Sequence, residues 1–146
     1  MEPVSVKDVA AYIILKKGHI TAIKLEKLVY YCQAWSLVWD GEPLFHERIE
    51  AWANGPVVPA LFAEHKGLFM VNRINGNPEK LTAIQKETVD AVFRDYADQS
   101  AFWLVELSHQ EAPWRNARGE LRIGAKCSNE ITHAAMAEYY SGLIPA

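Results

Sequence analysis

The sequence predicts a mainly α fold: a compact helical bundle around a buried central helix, with a small two- or three-stranded β element beside it. Three observations carry this. Over residues 25–39 nearly every side chain is apolar or aromatic, with Glu26, Lys27, Gln33 and Ser36 the polar interruptions. A helix apolar around most of its circumference belongs in a core. Elsewhere, apolar residues recur at helical spacing behind Ser or Thr capping signals, and only residues 48–53 and 69–74 read as strands.

In chain order, Ser5-Val6-Lys7-Asp8 reads as a capping box, and Val6, Val9, Ala10 and Ile13 fall at i, i+3, i+4 and i+7 on one face. Gly18 ends that helix. Thr21 is expected to cap the central helix and Asp40-Gly41 to stop it, since glycine accepts the left-handed conformation past a helix end. About 19 residues at 1.5 Å each make a rod of roughly 28 Å. Lys24, Glu26 and Lys27 in its first turns leave the uninterrupted apolar part too short to cross a membrane. Arg48-Ile49-Glu50-Ala51-Trp52-Ala53 then alternates at period two, as a half-buried strand does. Asn54-Gly55-Pro56 is expected to turn the chain, and Pro59 to sit in the first turn of a helix running to Lys66.

Residues 69–74 are expected to pair with the Ile49 strand, before a turn at Asn75-Gly76-Asn77-Pro78. Thr82 to Gln85 is a second capping box, followed by a stripe of Val89, Val92, Phe93 and Tyr96. Asp90 and Arg94 are spaced as a surface ion pair. Ser100 is expected to cap a helix carrying Trp103, Leu104 and Leu107. The Ser108-to-Trp114 stretch interrupts that helix, with one helical turn over residues 114–117 and a polar loop or weak strand over 119–128. The last helix is expected to start near Ser128 or Asn129 and to stop at Gly142.

The 146 residues, half of them hydrophobic and 23% charged, suit one globular domain over residues 1–146. A net charge of −3 offers no concentration of Lys and Arg to neutralise phosphates, so nucleic acid is not an expected partner. The opening MEPVSVKD has neither the basic nor the apolar region of a signal peptide, and a cytoplasmic location is expected. Cys32 and Cys127 lack C-x-x-C spacing, and Cys32 reads as a small hydrophobe of the central helix. The five histidines show no zinc spacing, and phosphate-binding glycine patterns are absent, so no metal and no cofactor is expected. Ser108-His109 with Glu111 suggests a triad, but adjacency in sequence does not aim a base at an exposed hydroxyl. No catalytic residue is assigned.

Five tryptophans are many for this length. Core filling accounts for Trp35 and Trp103. Trp52 and Trp114 instead stand beside irregular Asn-Gly-Pro and Glu-Ala-Pro segments, and loops on a rigid scaffold often carry function, with tryptophan favoured as an interface anchor. The candidate partner contacts are therefore Trp52, Asn54, Gly55, Pro56, Val57 and Pro59 in one segment, and His109, Glu111 and Trp114 in the other. A plain turn at Asn54-Gly55-Pro56 is the competing reading.

These segments also carry a family resemblance. Lys24-Leu25, Lys27-Leu28, Tyr30-Tyr31, Gln33-Ala34-Trp35, Gly41, Pro43-Leu44-Phe45, Ile49-Glu50-Ala51-Trp52 and Gly55-Pro56-Val57-Val58-Pro59 resemble the signature of the Panacea domain family, which includes phage-associated GepA-like and SocA-like proteins. Residues 5–14 resemble its opening. Ser108-His109-Gln110-Glu111-Ala112-Pro113-Trp114 resembles its downstream TH-x-E-x-P-W element, with Ser108 in place of the usual threonine. The resemblance implies an antitoxin, not an enzyme, that binds and neutralises a cognate protein toxin. In SocA-like members it further implies an adaptor delivering the toxin to a ClpXP-type protease. The alternatives are a DNA-binding autoregulator of its own operon, for which no basic helix or helix-turn-helix segment is visible, and an enzyme acting on a toxin product.

Overall fold

The computed structural model describes residues 3–145. Helix α1 (Val6–Lys17) starts at Ser5, whose hydroxyl accepts from Lys7 N while Asp8 accepts from Ser5 N, completing the capping box. The predicted stripe of Val6, Val9, Ala10 and Ile13 is buried. Strand β1 (Ile20–Thr21) leads into α2 (Ala22–Trp39), capped by the Thr21 hydroxyl and closed at Asp40. After it come β2 (Ile49–Trp52), β3 (Gly55–Val57), α3 (Pro59–His65), β4 (Met70–Val71), a 3-10 turn (Pro78–Lys80), α4 (Ala83–Tyr96), α5 (Ala101–Gln110), α6 (Ala112–Arg118), β5 (Glu130–Ile131) and α7 (His133–Ser141). The fold is mainly α, as predicted. Helix α2 is buried because α1, α3, α4, α5, α7 and β3 all pack on it. Among the described residues no helix is long and apolar enough to cross a membrane.

The strand pairing differs from expectation. Met70-Val71 does not join the Ile49 strand; β4 lies antiparallel to β1, Ile20 opposite Val71 and Thr21 opposite Met70. The other sheet has the order β3-β2-β5. Strand β2 takes its neighbour in sequence: a loop of only Ala53 and Asn54 returns the chain with Trp52 opposite Gly55. So short a loop costs little closure entropy. Gly55 and Pro56 are thus strand residues, and the turn stands one step earlier than expected. Residues just past Ser128 are likewise strand, with Ile131 opposite Ile49, and the last helix starts later, behind a Thr132 cap.

Three further expectations give way to tertiary partners. Asp90 bonds Lys16 at 3.0 Å and the Tyr12 hydroxyl at 2.8 Å, both on α1, while Arg94 turns to Asp95. Trp103 is 42% exposed, because α5 directs its neighbours Leu104 and Ser108 inward, one turn apart. Trp35 is partly buried, stacked on Trp39 with its Nε1 donating to the Tyr96 hydroxyl. Helix α6 makes two turns where one was expected, with Pro113 near its start where no N–H is needed.

Candidate functional site

Two buried charges of α2 meet the edge of the three-stranded sheet. An edge strand presents unpaired N–H and C=O groups, and β3 is such an edge. The Lys27 ammonium donates to Pro56 O at 2.9 Å, and Glu26 Oε1 accepts from Val58 N at 2.9 Å. Glu26 Oε2 lies 2.7 Å from His65 Nε2 on α3, and all three side chains are buried. The helix therefore covers the edge as another strand would. Burial pulls the Lys27 amine down to about 8, and the neighbouring Glu26 charge opposes that shift. Gly55 permits the approach: a Cβ there would lie 2.6 Å from Lys27 Cε and 2.9 Å from Ser108 Oγ, and its φ is +110°.

From the other side, the end of α5 and α6 clamps the β2–β3 hairpin. Arg118 Nη1 donates to Ala51 O at 3.0 Å and Trp114 Nε1 to Trp52 O at 2.8 Å, while the backbone of Ala53 favours the protonated form of the His109 ring. His109 stacks on Trp114 with centroids 3.9 Å apart, and the Arg118 guanidinium lies 4.9 Å from the centroid of the same indole. Two successive residues of the hairpin are thus held through their backbone by one short motif. Glu111 between the two helices faces inward, its Oε1 accepting from Tyr31 at 2.6 Å and Tyr140 at 2.7 Å. Burial pushes its carboxyl up, and the two hydroxyls pull it back. Ser108 Oγ is buried and donates to Val105 O at 2.8 Å, so its proton is directed at the backbone of its own helix.

Next to the hairpin lies a cavity of about 460 Å³, within the range of ligand and anchor pockets. Its polar lining includes Glu26, Lys27 and His65, and its apolar lining includes Trp52, Phe62, Ile23 and Leu68. The Trp52 and Phe62 rings meet edge to face at 4.9 Å. Ile23, Leu68, Phe69 and Met70 are exposed, Phe69 by 75%. They form one patch, because Ala22 N donates to Phe69 O and Thr21 pairs with Met70. A contiguous apolar patch with polar surroundings marks an interaction surface.

The residues expected to contact a partner divide between these places. Trp52, Asn54 and Val57 line the cavity, Asn54 exposed and Val57 buried. Gly55 and Pro56 are buried against α2, and Pro59 is half-buried as the first residue of α3. His109 is half-buried, while Trp114 and Glu111 are buried, so these three meet the hairpin and the tyrosine cluster. Sequence reasoning missed Glu26, Lys27, His65 and Phe62, and with them the apolar patch at Ile23 and Leu68-Phe69-Met70. The available signal was two adjacent charges in a helix otherwise apolar from Leu25 onward, for which solvated first turns are the simpler reading.

The family model described as antitoxin SocA-like, Panacea domain, matches residues 25–115, which takes in most of α2, the hairpin, part of the cavity wall and the Glu111-to-Trp114 segment. No curated protein and no solved structure matches the chain.

Proposed function

Since the chain belongs to the SocA-like Panacea domain family of antitoxins, we propose that it neutralises a cognate protein toxin by direct contact, with the hairpin cavity and its apolar rim as the docking surface. The observation that carries this is the patch of Ile23, Leu68, Phe69 and Met70 standing exposed beside a cavity lined by Trp52 and Phe62. Such a surface costs free energy in water and releases it when an apolar segment of a partner covers it. Trp52, Asn54 and Val57 are the expected contacts from the hairpin. Gly55 and Pro56 seat that hairpin against α2 and Trp114 holds it from α6, while Glu111 serves the tyrosine cluster and Pro59 opens α3. The role is binding without chemistry, and it accords with a Ser108 hydroxyl bonded to its own helix.

The test is coexpression with the product of the adjacent gene, followed by copurification. Leu68→Ser combined with Phe69→Ser is expected to weaken toxin binding by about 30-fold or more, the loss typical of two anchor residues, and to abolish growth protection while the melting temperature holds. Retention of wild-type binding and protection by the folded double variant would overturn this docking surface. Delivery to a ClpXP-type protease is a separate proposal resting on the family resemblance. It predicts that protection disappears in a host lacking the protease while copurification persists.

A further inference from the structure

We infer that the hollow between the end of α5, α6 and the loop after it is an oxyanion site, built to take a carboxylate or phosphate group. This hollow, about 550 Å³, is lined by His109, Arg115, Asn116 and Arg118 with Leu121 and Ile123 beside them. It shares no lining residue with the hairpin cavity, and no carboxylate lines it.

Two observations point to a ligand. His109 Nε2 is buried and, among the described residues, has no hydrogen-bond partner; buried polar atoms are nearly always partnered in native proteins. The cations around it are also underused. Arg118 is buried and donates from Nη1 to Ala51 O and from Nη2 to Arg122 O and Ala125 O. A guanidinium has five donors, so two remain. Arg115 is exposed and makes no ion pair with the described residues. Basic residues at a helix C-terminus offset its dipole, which accounts for the placing of Arg115 and Arg118 but leaves the histidine atom unexplained.

The chemistry selects an oxyanion. Both ring nitrogens of His109 carry protons when the ring is cationic, and Nε2 is then a charged donor. Burial pushes the ring towards its neutral form, as do Lys27 on α2 and Arg118 on α6, while Glu106 on α5 and the Ala53 carbonyl pull the other way. Arg115, lining the same hollow, also opposes a second positive charge. An incoming oxyanion reverses that balance: the imidazolium Nε2–H donates to one oxygen, and the planar guanidinium forks suit the others. Binding therefore favours the protonated ring. Ile123, 84% exposed, and Leu121 add an apolar flank to the charged hollow, which would suit an acidic residue followed by an apolar one on a partner chain.

The experiment is an NMR titration of the His109 ring in the full chain. One arm uses inorganic phosphate, a second uses a short acetylated peptide containing Asp-Leu, and sodium chloride at matched ionic strength is the control. Saturation is expected to raise the imidazole pKa by about one unit, as an opposite charge at contact does, with affinity falling as pH rises through that interval. Arg115→Ala, at an exposed position that leaves folding intact, is expected to weaken binding about tenfold, in line with loss of a charge-assisted contact. His109→Gln is expected to remove the pH dependence. A response to phosphate alone identifies a free anion as the ligand, and a response to the peptide alone identifies an acidic partner segment. No shift of the His109 signals beyond the chloride control with either ligand, or binding unchanged by Arg115→Ala, overturns the site. Toxin docking at the hairpin cavity survives that result, because Leu68 and Phe69 lie outside this hollow.

Discussion

Gly55 meets two demands at once: a positive φ, and room for Lys27 and Ser108 where a Cβ would stand. Gly55→Ala is therefore expected to lose about 1–3 kcal/mol, the range for alanine forced to positive φ with overpacking. Urea unfolding would show this as a lower midpoint at unchanged slope. Lys27 makes a different prediction, through pH. Its amine sits at about 8 when folded and at 10.5 ordinarily. Below about pH 8 both states are protonated and the burial penalty is constant. Between those values the unfolded chain holds a proton that the folded chain has shed, so stability rises with pH, by at most about 1.4 kcal/mol per unit for one proton. Tyr12, pushed up to about 12 when folded, acts oppositely above pH 10, where the unfolded phenol ionises first. Lys24 is also lowered, by burial first and Lys17 second, so the informative quantity is a difference. Burial also pushes the Cys32 thiol up from its ordinary 9.0, which opposes the climb above pH 9, so urea melts from pH 8 to 10 should show a more positive slope in the wild type than in Lys27→Met. Equal slopes would mean that the amine is not held neutral by burial.

Among the elements, the helices and two of the strands were legible and the strand pairing was not, for a physical reason. Caps and apolar periodicity are local: Ser5 with Asp8, Thr21, and Thr82 with Gln85 all act where the sequence places them. Strand partners are chosen by distant segments, so nothing near Met70 announces Ile20, and nothing near Glu130 announces Ile49. Glu26 and Lys27 stayed hidden for the same reason, since their burial follows from which strand edge lies above them. The hairpin clamp could be read as a motif, but its direction could not: Trp114 and His109 face the carbonyl side of β2 and its turn, where an outward anchor was expected. The clamp itself can be tested. Arg118→Met frees the carbonyls of Ala51, Arg122 and Ala125, and a side-chain donor lost from a buried carbonyl costs about 1–3 kcal/mol. Hydrogen exchange should quicken in β5 and residues 119–128 while α1 and α4 keep their protection. Uniform quickening across the chain would place the loss in global stability and not in the clamp.

Across the whole molecule, the residues that carry the family resemblance are largely consumed by one another. Gln33 binds the backbone of Leu44 and Phe45, Glu26 and Lys27 close the edge of β3, and Glu111 joins Tyr31 to Tyr140. A signature spent on internal bonds leaves the surface free to vary, so recognition must rest on side chains that the scaffold presents but does not need. The patch of Ile23, Leu68, Phe69 and Met70 meets that description, being exposed at the rim of the cavity. Two classes of loss should follow. Gln33→Ala strips three backbone groups of their partner in the core and is expected to destabilise by about 2 kcal/mol or more, losing protection in proportion to the unfolded fraction. Ile23→Ser or Phe69→Ser, at exposed positions, should leave stability within about 0.5 kcal/mol and lose protection through binding alone. Plotting melting temperature against growth protection for the two sets would separate them. If both sets fell on one line, protection would track folding only, and the apolar patch would have no partner to meet.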